Sequence, residues 1–100
     1  MHQLITKNLD KIKALCRINP VKKLYLFGSF ATGYGTEKSD VDLLIEFDNA
    51  KIVDKFMVYI TLLMNFEDIL DRNVDLVEEH LIEKQYIMDD INQSKILIYG

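Results

Sequence analysis

The sequence is poor in the residues that form covalent cross-links, metal clusters and flexible linkers. Its 100 residues include one cysteine, one proline, four glycines and no tryptophan. A single cysteine, Cys16, excludes an internal disulfide and a cysteine-based metal cluster. The scarcity of proline and glycine, together with 49% hydrophobic residues, excludes a low-complexity or disordered chain. The sequence therefore predicts one folded domain over residues 1–100.

Long apolar runs and an excess of positive charge are also missing. The longest uncharged apolar run, residues 57–66, is too short to span a bilayer, and the N-terminus lacks the basic-then-apolar pattern of a signal peptide. We therefore expect a cytoplasmic protein that makes no membrane contact. The net charge of −4 has the wrong sign for neutralising many phosphates, so direct binding of long nucleic acid is not expected.

Hydrophobic periodicity predicts an alternation of helices and strands. Helical spacing of apolar residues predicts helices at residues 3–18, 54–70 and 81–91. Short apolar segments predict strands at residues 21–27, 41–47 and 74–77. Asp54 can cap the second of these helices, and residues 96–99 form an apolar tail. This order predicts an α/β fold, in which a small mixed β-sheet is flanked by helices.

The predicted helix at residues 54–70 is apolar around most of its circumference. A helix on the surface of a domain needs only one apolar stripe, so this helix is either central or shared with a partner. The apolar tail at residues 96–99 poses the same choice. Either both segments fill the core of this domain, or they contribute to a protein interface.

Three of the four glycines lie between Gly28 and Gly35, directly after a predicted strand. Their spacing is that of a P-loop, but Tyr34 stands where a P-loop has its lysine, so a Walker A site is excluded. What remains is a strand that ends at Gly28 and Ser29 and runs into a short helix at residues 30–31. Such a turn presents backbone N–H groups and the Ser29 hydroxyl to an anion. An ordinary turn capped by serine is the alternative.

Three aspartates lie at the starts of two predicted strands. Asp40 and Asp42 are two residues apart, so both project from one face of a strand while Val41 lies on the core face. Carboxylates this close repel each other, and Mg²⁺ or Mn²⁺ relieves that repulsion. Asp75 lies across from the pair if the third strand pairs beside the second. The pattern favours phosphoryl or nucleotidyl transfer; solvated aspartates at strand ends are the alternative.

The segment Gly28-Ser29, ten residues, then Asp40-Val41-Asp42 resembles the signature of the DNA polymerase β-like nucleotidyltransferase superfamily, with Asp75 matching its third acid. A chance match of the four fixed positions in a chain of this length is on the order of one in a thousand. Because the sequence predicts a single domain, the chain resembles the minimal nucleotidyltransferases (MNT), specifically the MntA-like antitoxins that pair with HEPN-domain toxins. The likeness covers residues 21–99.

This resemblance implies a nucleotidyltransferase (polymerase β-like) fold and an activity. The family uses ATP and Mg²⁺, with two ions expected, to attach AMP to a tyrosine of a cognate HEPN toxin, an RNase, in a hetero-oligomer. By position, the resemblance assigns nucleotide binding to Gly28, Ser29 and Ser39, and catalysis and metal binding to Asp40, Asp42 and Asp75. The last of these would complete the metal site or act as the base.

Thr32 departs from the family pattern. Many members have arginine just before the second glycine, and the missing positive charge weakens contact with a triphosphate. Three hypotheses therefore stay open. The chain is a protein adenylyltransferase, an antitoxin that binds nucleotide but neutralises its partner by contact alone, or a nucleotidyltransferase acting on small molecules. The third hypothesis is the least favoured, because small-molecule substrates need an extra domain that the sequence does not predict.

Overall fold

The fold is a four-stranded mixed sheet with helices packed against it. The structure, a computed structural model, describes residues 2–100. In chain order the elements are α1 (Gln3–Arg17), β1 (Val21–Phe27), α2 (Ser29–Thr32), β2 (Val41–Phe47), α3 (Lys55–Leu70), β3 (Val74–Glu78), α4 (Gln85–Ser94) and β4 (Ile96–Tyr99), with short 3-10 turns at Asn49–Lys51 and Glu79–Leu81.

The sheet has the strand order β3-β2-β1-β4. Strand β1 is antiparallel to both β2 and β4, whereas β2 and β3 are parallel. A parallel pair needs a crossover connection, and α3 supplies it. As a consequence, the end of β1 and the starts of β2, β3 and β4 all lie at one end of the sheet. The functional residues expected from the sequence are concentrated at this end.

The core forms where α1 and α3 pack against one face of the sheet. Both helices contribute fully buried apolar side chains at helical spacing, and the strands contribute alternate residues. The core includes Ile5, Ile12 and Cys16 of α1, Leu62, Phe66 and Leu70 of α3, and Leu24, Leu26, Val41, Leu43 and Ile45 of the strands. Burial of this kind is the main stabilising contribution to such a domain.

Most of the predicted elements are confirmed; the bounds of the fourth helix are wrong, and one strand is not among the predicted elements. The fourth helix begins at Gln85 rather than at residue 81, because residues 79–81 form a 3-10 turn in which the Ile82 N–H donates to the Glu79 carbonyl (3.2 Å). The apolar tail is a strand, β4, which pairs with β1 and buries Ile98. Leu97 of the same strand is 51% exposed, so the tail belongs partly to the core and partly to the surface.

Helix α3 is a surface helix with an apolar outer side. Its first turn is capped as expected, since the Asp54 carboxylate accepts a hydrogen bond from the Met57 N–H (3.1 Å). Three of its side chains are buried, but Phe56 is 70% exposed and Met64 62% exposed. The helix is therefore not central, and its outer side has the composition of a contact surface. No helix within residues 2–100 is long and apolar enough to cross a membrane.

We expect the Cys16 thiol to be unreactive in the folded protein. Burial raises the pKa of this thiol from 9.0 to about 12, and the nearby Arg17 charge offsets this only in part. At pH 8 this higher pKa lowers the thiolate fraction by roughly 10³-fold. Iodoacetamide should therefore leave the native protein unmodified and should alkylate it rapidly in guanidinium chloride. Fast alkylation of the native protein would contradict the packing of α1 against the sheet.

Candidate active site

Strand register brings the predicted site residues together at one end of the sheet. Phe27 pairs with Asp42 across the antiparallel β1–β2 ladder, so Gly28 follows directly beside this position. Asp42 pairs in turn with Asp75 across the parallel β2–β3 ladder. The expectation that the third strand pairs beside the second is confirmed. A glycine turn, Asp42 and Asp75 therefore lie side by side on three adjacent strands.

Gly28 is required here for two separate reasons. Its backbone has φ 71° and ψ −153°, a region that side-chain-bearing residues avoid because of steric strain. In addition, a Cβ atom at this position would overlap the carboxylate of Asp42. The missing side chain lets that carboxylate lie directly against the backbone of the turn.

The turn continues into the single-turn helix α2. The Ala31 N–H donates to the Gly28 carbonyl (3.1 Å), and the Tyr34 N–H donates to the Ser29 carbonyl (2.9 Å). The first N–H groups of a helix have no acceptor within it, and in α2 these belong to Ser29 and Phe30. They are the backbone donors that the sequence predicted for an anion.

Thr32 does not replace the charge of the arginine that is common in the resembled family. Its hydroxyl lies 3.3 Å from the Gly28 carbonyl oxygen and 3.2 Å from the Ser29 carbonyl oxygen, and it donates to this pair. The side chain is thus engaged with the backbone of its own helix. It adds no positive charge to the turn.

The three aspartates differ in exposure, and two of them act on the third. Asp42 is partly buried, whereas Asp40 and Asp75 are exposed. Partial burial raises the pKa of the Asp42 carboxyl, and the negative charges of Asp75 and then Asp40 raise it further. The residues on either side of Asp42, Val41 and Leu43, are fully buried, which confirms that Asp42 lies on the face of β2 away from the main core.

This group of carboxylates can hold a hard cation together with a substrate. Within residues 2–100, no three carboxylate, imidazole or thiol groups stand close enough together to hold a metal ion by themselves. Mg²⁺, however, is commonly held by one or two carboxylates with waters and substrate phosphates. The pair Asp40 and Asp42 fits that requirement, because the ion would relieve the repulsion that now acts on Asp42.

Ser39 lies in the loop before β2, and its hydroxyl is engaged locally. The Ser39 oxygen accepts a hydrogen bond from the Thr36 N–H (3.1 Å). Arg72, in the turn before β3, holds the same loop: its Nη1 donates to the Thr36 carbonyl (2.8 Å) and to the Ser39 carbonyl (3.1 Å). The structure therefore shows Ser39 shaping the loop that leads into the aspartate pair.

Phe30 of α2 packs its buried ring against the backbone of the glycine-rich segment. It is fully buried, with the His2 ring edge-on at 4.6 Å between centroids and the Arg72 guanidinium 5.1 Å from the ring centroid. Gly35 passes directly over this ring, since a Cβ at Gly35 would lie 2.6 Å from it. The glycines near the site thus serve different needs: Gly28 makes room for a carboxylate, and Gly35 makes room for an aromatic ring.

Comparisons with known proteins agree with this geometry. The family model described as polymerase beta nucleotidyltransferase matches residues 10–100. A protein of Methanocaldococcus jannaschii that carries the name of a protein adenylyltransferase is 34% identical over 100 residues, covering 92% of this chain and 99% of that protein.

Solved structures with this fold include single proteins and complexes. One described as a minimal nucleotidyltransferase has a TM-score of 0.78 at 25% identity, over 95% of each chain. A toxin-antitoxin with AMP-PNP has a TM-score of 0.72 at 26% identity, over 93% of this chain and 73% of that chain. A toxin-antitoxin MntA-HpeT mutant has a TM-score of 0.66 at 27% identity, over 91% of this chain and 71% of that chain.

Proposed function

Because this chain belongs to the polymerase beta family of nucleotidyltransferases, we propose that it transfers AMP from ATP to a hydroxyl group of a partner protein and acts as an antitoxin. The acceptor we propose is a tyrosine of a cognate HEPN-domain RNase toxin. The observation that carries the proposal is the placement of Asp42 between the Gly28 turn and Asp75. The name of the M. jannaschii relative and the toxin-antitoxin with AMP-PNP support it.

The proposed reaction is an in-line displacement at the α-phosphorus of ATP. The N–H groups at the start of α2 and the Ser29 hydroxyl hold the phosphates. Asp40 and Asp42 would hold Mg²⁺, which when bound neutralises charge on the phosphates. The acceptor oxygen forms a bond to the α-phosphorus, the bond to the bridging oxygen breaks, and pyrophosphate leaves. Asp75 takes the proton of the attacking hydroxyl or completes the metal site.

A second candidate function is neutralisation of the toxin by contact alone. Thr32 favours it, because its hydroxyl is engaged with its own helix and brings no positive charge to a triphosphate. Expression of the toxin with Asp42→Asn antitoxin separates the two candidates. If AMP transfer neutralises the toxin, growth fails with this variant although the protein is present at the wild-type level. Full rescue of growth by Asp42→Asn would instead favour contact alone.

The exposed apolar side of α3 is the surface we propose for the toxin. It borders a cavity of about 630 Å³ beside β3, the edge strand that carries Asp75. The apolar residues Phe56 and Leu81 line this cavity and are 70% and 63% exposed. An acidic chain with an apolar face suits a basic, RNA-cutting partner. The cavity lies beside the carboxyl-terminal half of β3, so a partner seated here reaches Asp75 only by extending along this edge strand.

We expect Phe56→Glu to weaken toxin binding by about 30-fold or more, since a charge would be buried at an apolar contact. The measurement is an affinity titration with purified toxin. The matched control is Leu97→Glu, a similarly exposed position on β4 at the opposite edge of the sheet. Both variants should keep the wild-type Tm. Loss of binding with Leu97→Glu alone would move the interface to β4 and refute the assignment to α3.

A further inference from the structure

A second cavity, of about 420 Å³, lies between the glycine turn and α4. Its position follows from topology: β4 begins at the same end of the sheet where β1 ends, so the last turn of α4 is brought beside Gly28. The residues that line it are Phe27, Gly28 and Thr32 on one side, and Ile87, Asp90, Ile91, Gln93 and Ser94 on the other.

The chemistry of this cavity does not suit a triphosphate. Its lining contains apolar groups, hydroxyls, one amide and one carboxylate, but neither lysine nor arginine. A polyphosphate placed here would be repelled by the Asp90 carboxylate and would meet no compensating cation. A nucleoside, by contrast, is uncharged, has flat faces that suit apolar walls, and carries hydrogen-bonding groups at its edges.

We propose that this cavity holds the nucleoside part of the nucleotide, an inference that rests on the proposed function. The Asp90 carboxylate accepts a hydrogen bond from a ribose hydroxyl, as carboxylates do in other nucleotide sites. The Gln93 amide, which has both donors and acceptors, reads the edge of the base. The volume of about 420 Å³ lies within the range of small-molecule pockets.

The polar groups that would make these contacts are available. Within residues 2–100, the Asp90 carboxylate and the Gln93 amide have no hydrogen-bond or ion-pair partner, whereas the carboxylate of the neighbouring Asp89 accepts a hydrogen bond from the Gln85 amide (2.8 Å). Asp89 does not line the cavity. Two adjacent aspartates on one helix therefore differ in both respects that matter here: Asp90 lines the cavity and has no partner, whereas Asp89 lies outside it and is hydrogen-bonded.

The cavity is better placed for the nucleoside than for the acceptor side chain. An acceptor hydroxyl must reach the carboxylates of β2 and β3, and neither Asp42 nor Asp75 lines this cavity. It opens instead onto Gly28 and Thr32 of the turn proposed to hold the phosphates. The nucleotide then lies on the α4 side of the aspartates, and the acceptor approaches from β3 on the other side.

The test is a comparison of nucleotide affinities in the full chain with Mg²⁺ present. Wild type, Asp90→Ala, Gln93→Ala and the control Asp89→Ala are titrated with ATP, 2′-deoxy-ATP, 3′-deoxy-ATP and GTP. We expect wild type to bind at least one deoxy analogue about tenfold more weakly than ATP. Asp90→Ala should remove this difference, Gln93→Ala should reduce the preference between ATP and GTP, and Asp89→Ala should change neither ratio.

Inorganic triphosphate separates a lost nucleoside contact from a damaged protein. Its affinity should be unchanged or higher in Asp90→Ala, because a negative charge near the phosphates has been removed. Wild-type ratios in Asp90→Ala, or equal effects of Asp89→Ala, would overturn the inference while leaving AMP transfer untouched. Conversely, the ratio of ATP to deoxy-ATP affinity could change in Asp90→Ala although the wild-type protein transfers no AMP. That result would support this subsite and refute the proposed function.

Discussion

Asp42→Asn is expected to lower the rate of AMP transfer by about 10³-fold or more. Asp42 lies between the glycine turn and Asp75, and an amide cannot replace a carboxylate in holding a divalent cation. Loss of metal-based charge stabilisation costs several kcal/mol, and each 1.36 kcal/mol is a factor of ten in rate. The measurement is single-turnover transfer of AMP to purified toxin. The control Asp68→Asn changes an exposed aspartate of α3 and should retain the wild-type rate.

The same substitution is expected to raise the Tm in the absence of divalent ions. The pKa of Asp42 is raised above 3.8 in the folded protein by burial and by Asp75 and Asp40. An acid with a raised pKa destabilises the folded state once it ionises. The wild-type protein therefore has its full stability below pH 3.8, where Asp42 is protonated, and loses part of it as the pH rises through the pKa of Asp42 in the folded state. Asparagine never ionises, so Asp42→Asn should have a higher Tm than wild type at neutral pH and the same Tm below pH 3.8.

Mg²⁺ provides the complementary readout for this electrostatic account. An ion that binds only the folded state raises its Tm, so Mg²⁺ should stabilise wild type and Asp68→Asn but not Asp42→Asn. A variant that loses activity and also becomes less stable than wild type without Mg²⁺ would contradict the account. It would mean that Asp42 supports the fold rather than the chemistry.

Gly28→Ala is expected to destabilise the fold by about 3 kcal/mol and to abolish transfer. Its φ of 71° and ψ of −153° place the residue where a side chain is strained by about 1–3 kcal/mol, and the added Cβ would overlap the Asp42 carboxylate. The matched control is Gly33→Ala. Gly33 also has a positive φ, of 87°, but a Cβ there would meet no atom within 4 Å, so it should cost only about 1–2 kcal/mol.

Urea unfolding of both variants measures this difference, and a double variant identifies its cause. Asp42→Ala removes the carboxylate that the new Cβ would strike, so it should recover part of the stability that Gly28→Ala loses. Equal destabilisation by Gly28→Ala and Gly33→Ala, with no recovery in the double variant, would show that the close approach of Gly28 and Asp42 is not a determinant of stability.

Local sequence signals were sufficient for the parts of the fold that have clear ends. Strand β1 ends at a glycine, β2 follows a polar loop, and α3 starts after a capping aspartate. The bounds of both strands agree with prediction, and α3 begins one residue later than predicted. The predicted start of α4 is wrong, because the apolar residues Leu81 and Ile82 fit the helical spacing but lie in or beside a 3-10 turn. Strand β4 was missed because its partner, β1, lies some seventy residues earlier in the chain.

The same division holds for the candidate site. The resemblance to MntA-like minimal nucleotidyltransferases rests on the glycine turn and three aspartates, and it is confirmed by the family match and the solved structures. The roles assigned to those residues remain predictions. Arg72 was not anticipated, because its function in the loop depends on the carbonyl groups of Thr36 and Ser39, which no sequence pattern marks. A basic residue just before β3 was the only available signal.

The most direct test of AMP transfer uses ATP labelled at the α-phosphate. Wild type, Asp42→Asn and Asp68→Asn are incubated with the label, Mg²⁺ and an extract of the native host, and labelled proteins are identified by mass spectrometry. We predict one labelled toxin band, modified on tyrosine, with wild type and Asp68→Asn and none with Asp42→Asn. Equal labelling by Asp42→Asn would contradict the account. So would the absence of labelling by wild type in a parallel reaction in which purified toxin replaces the extract.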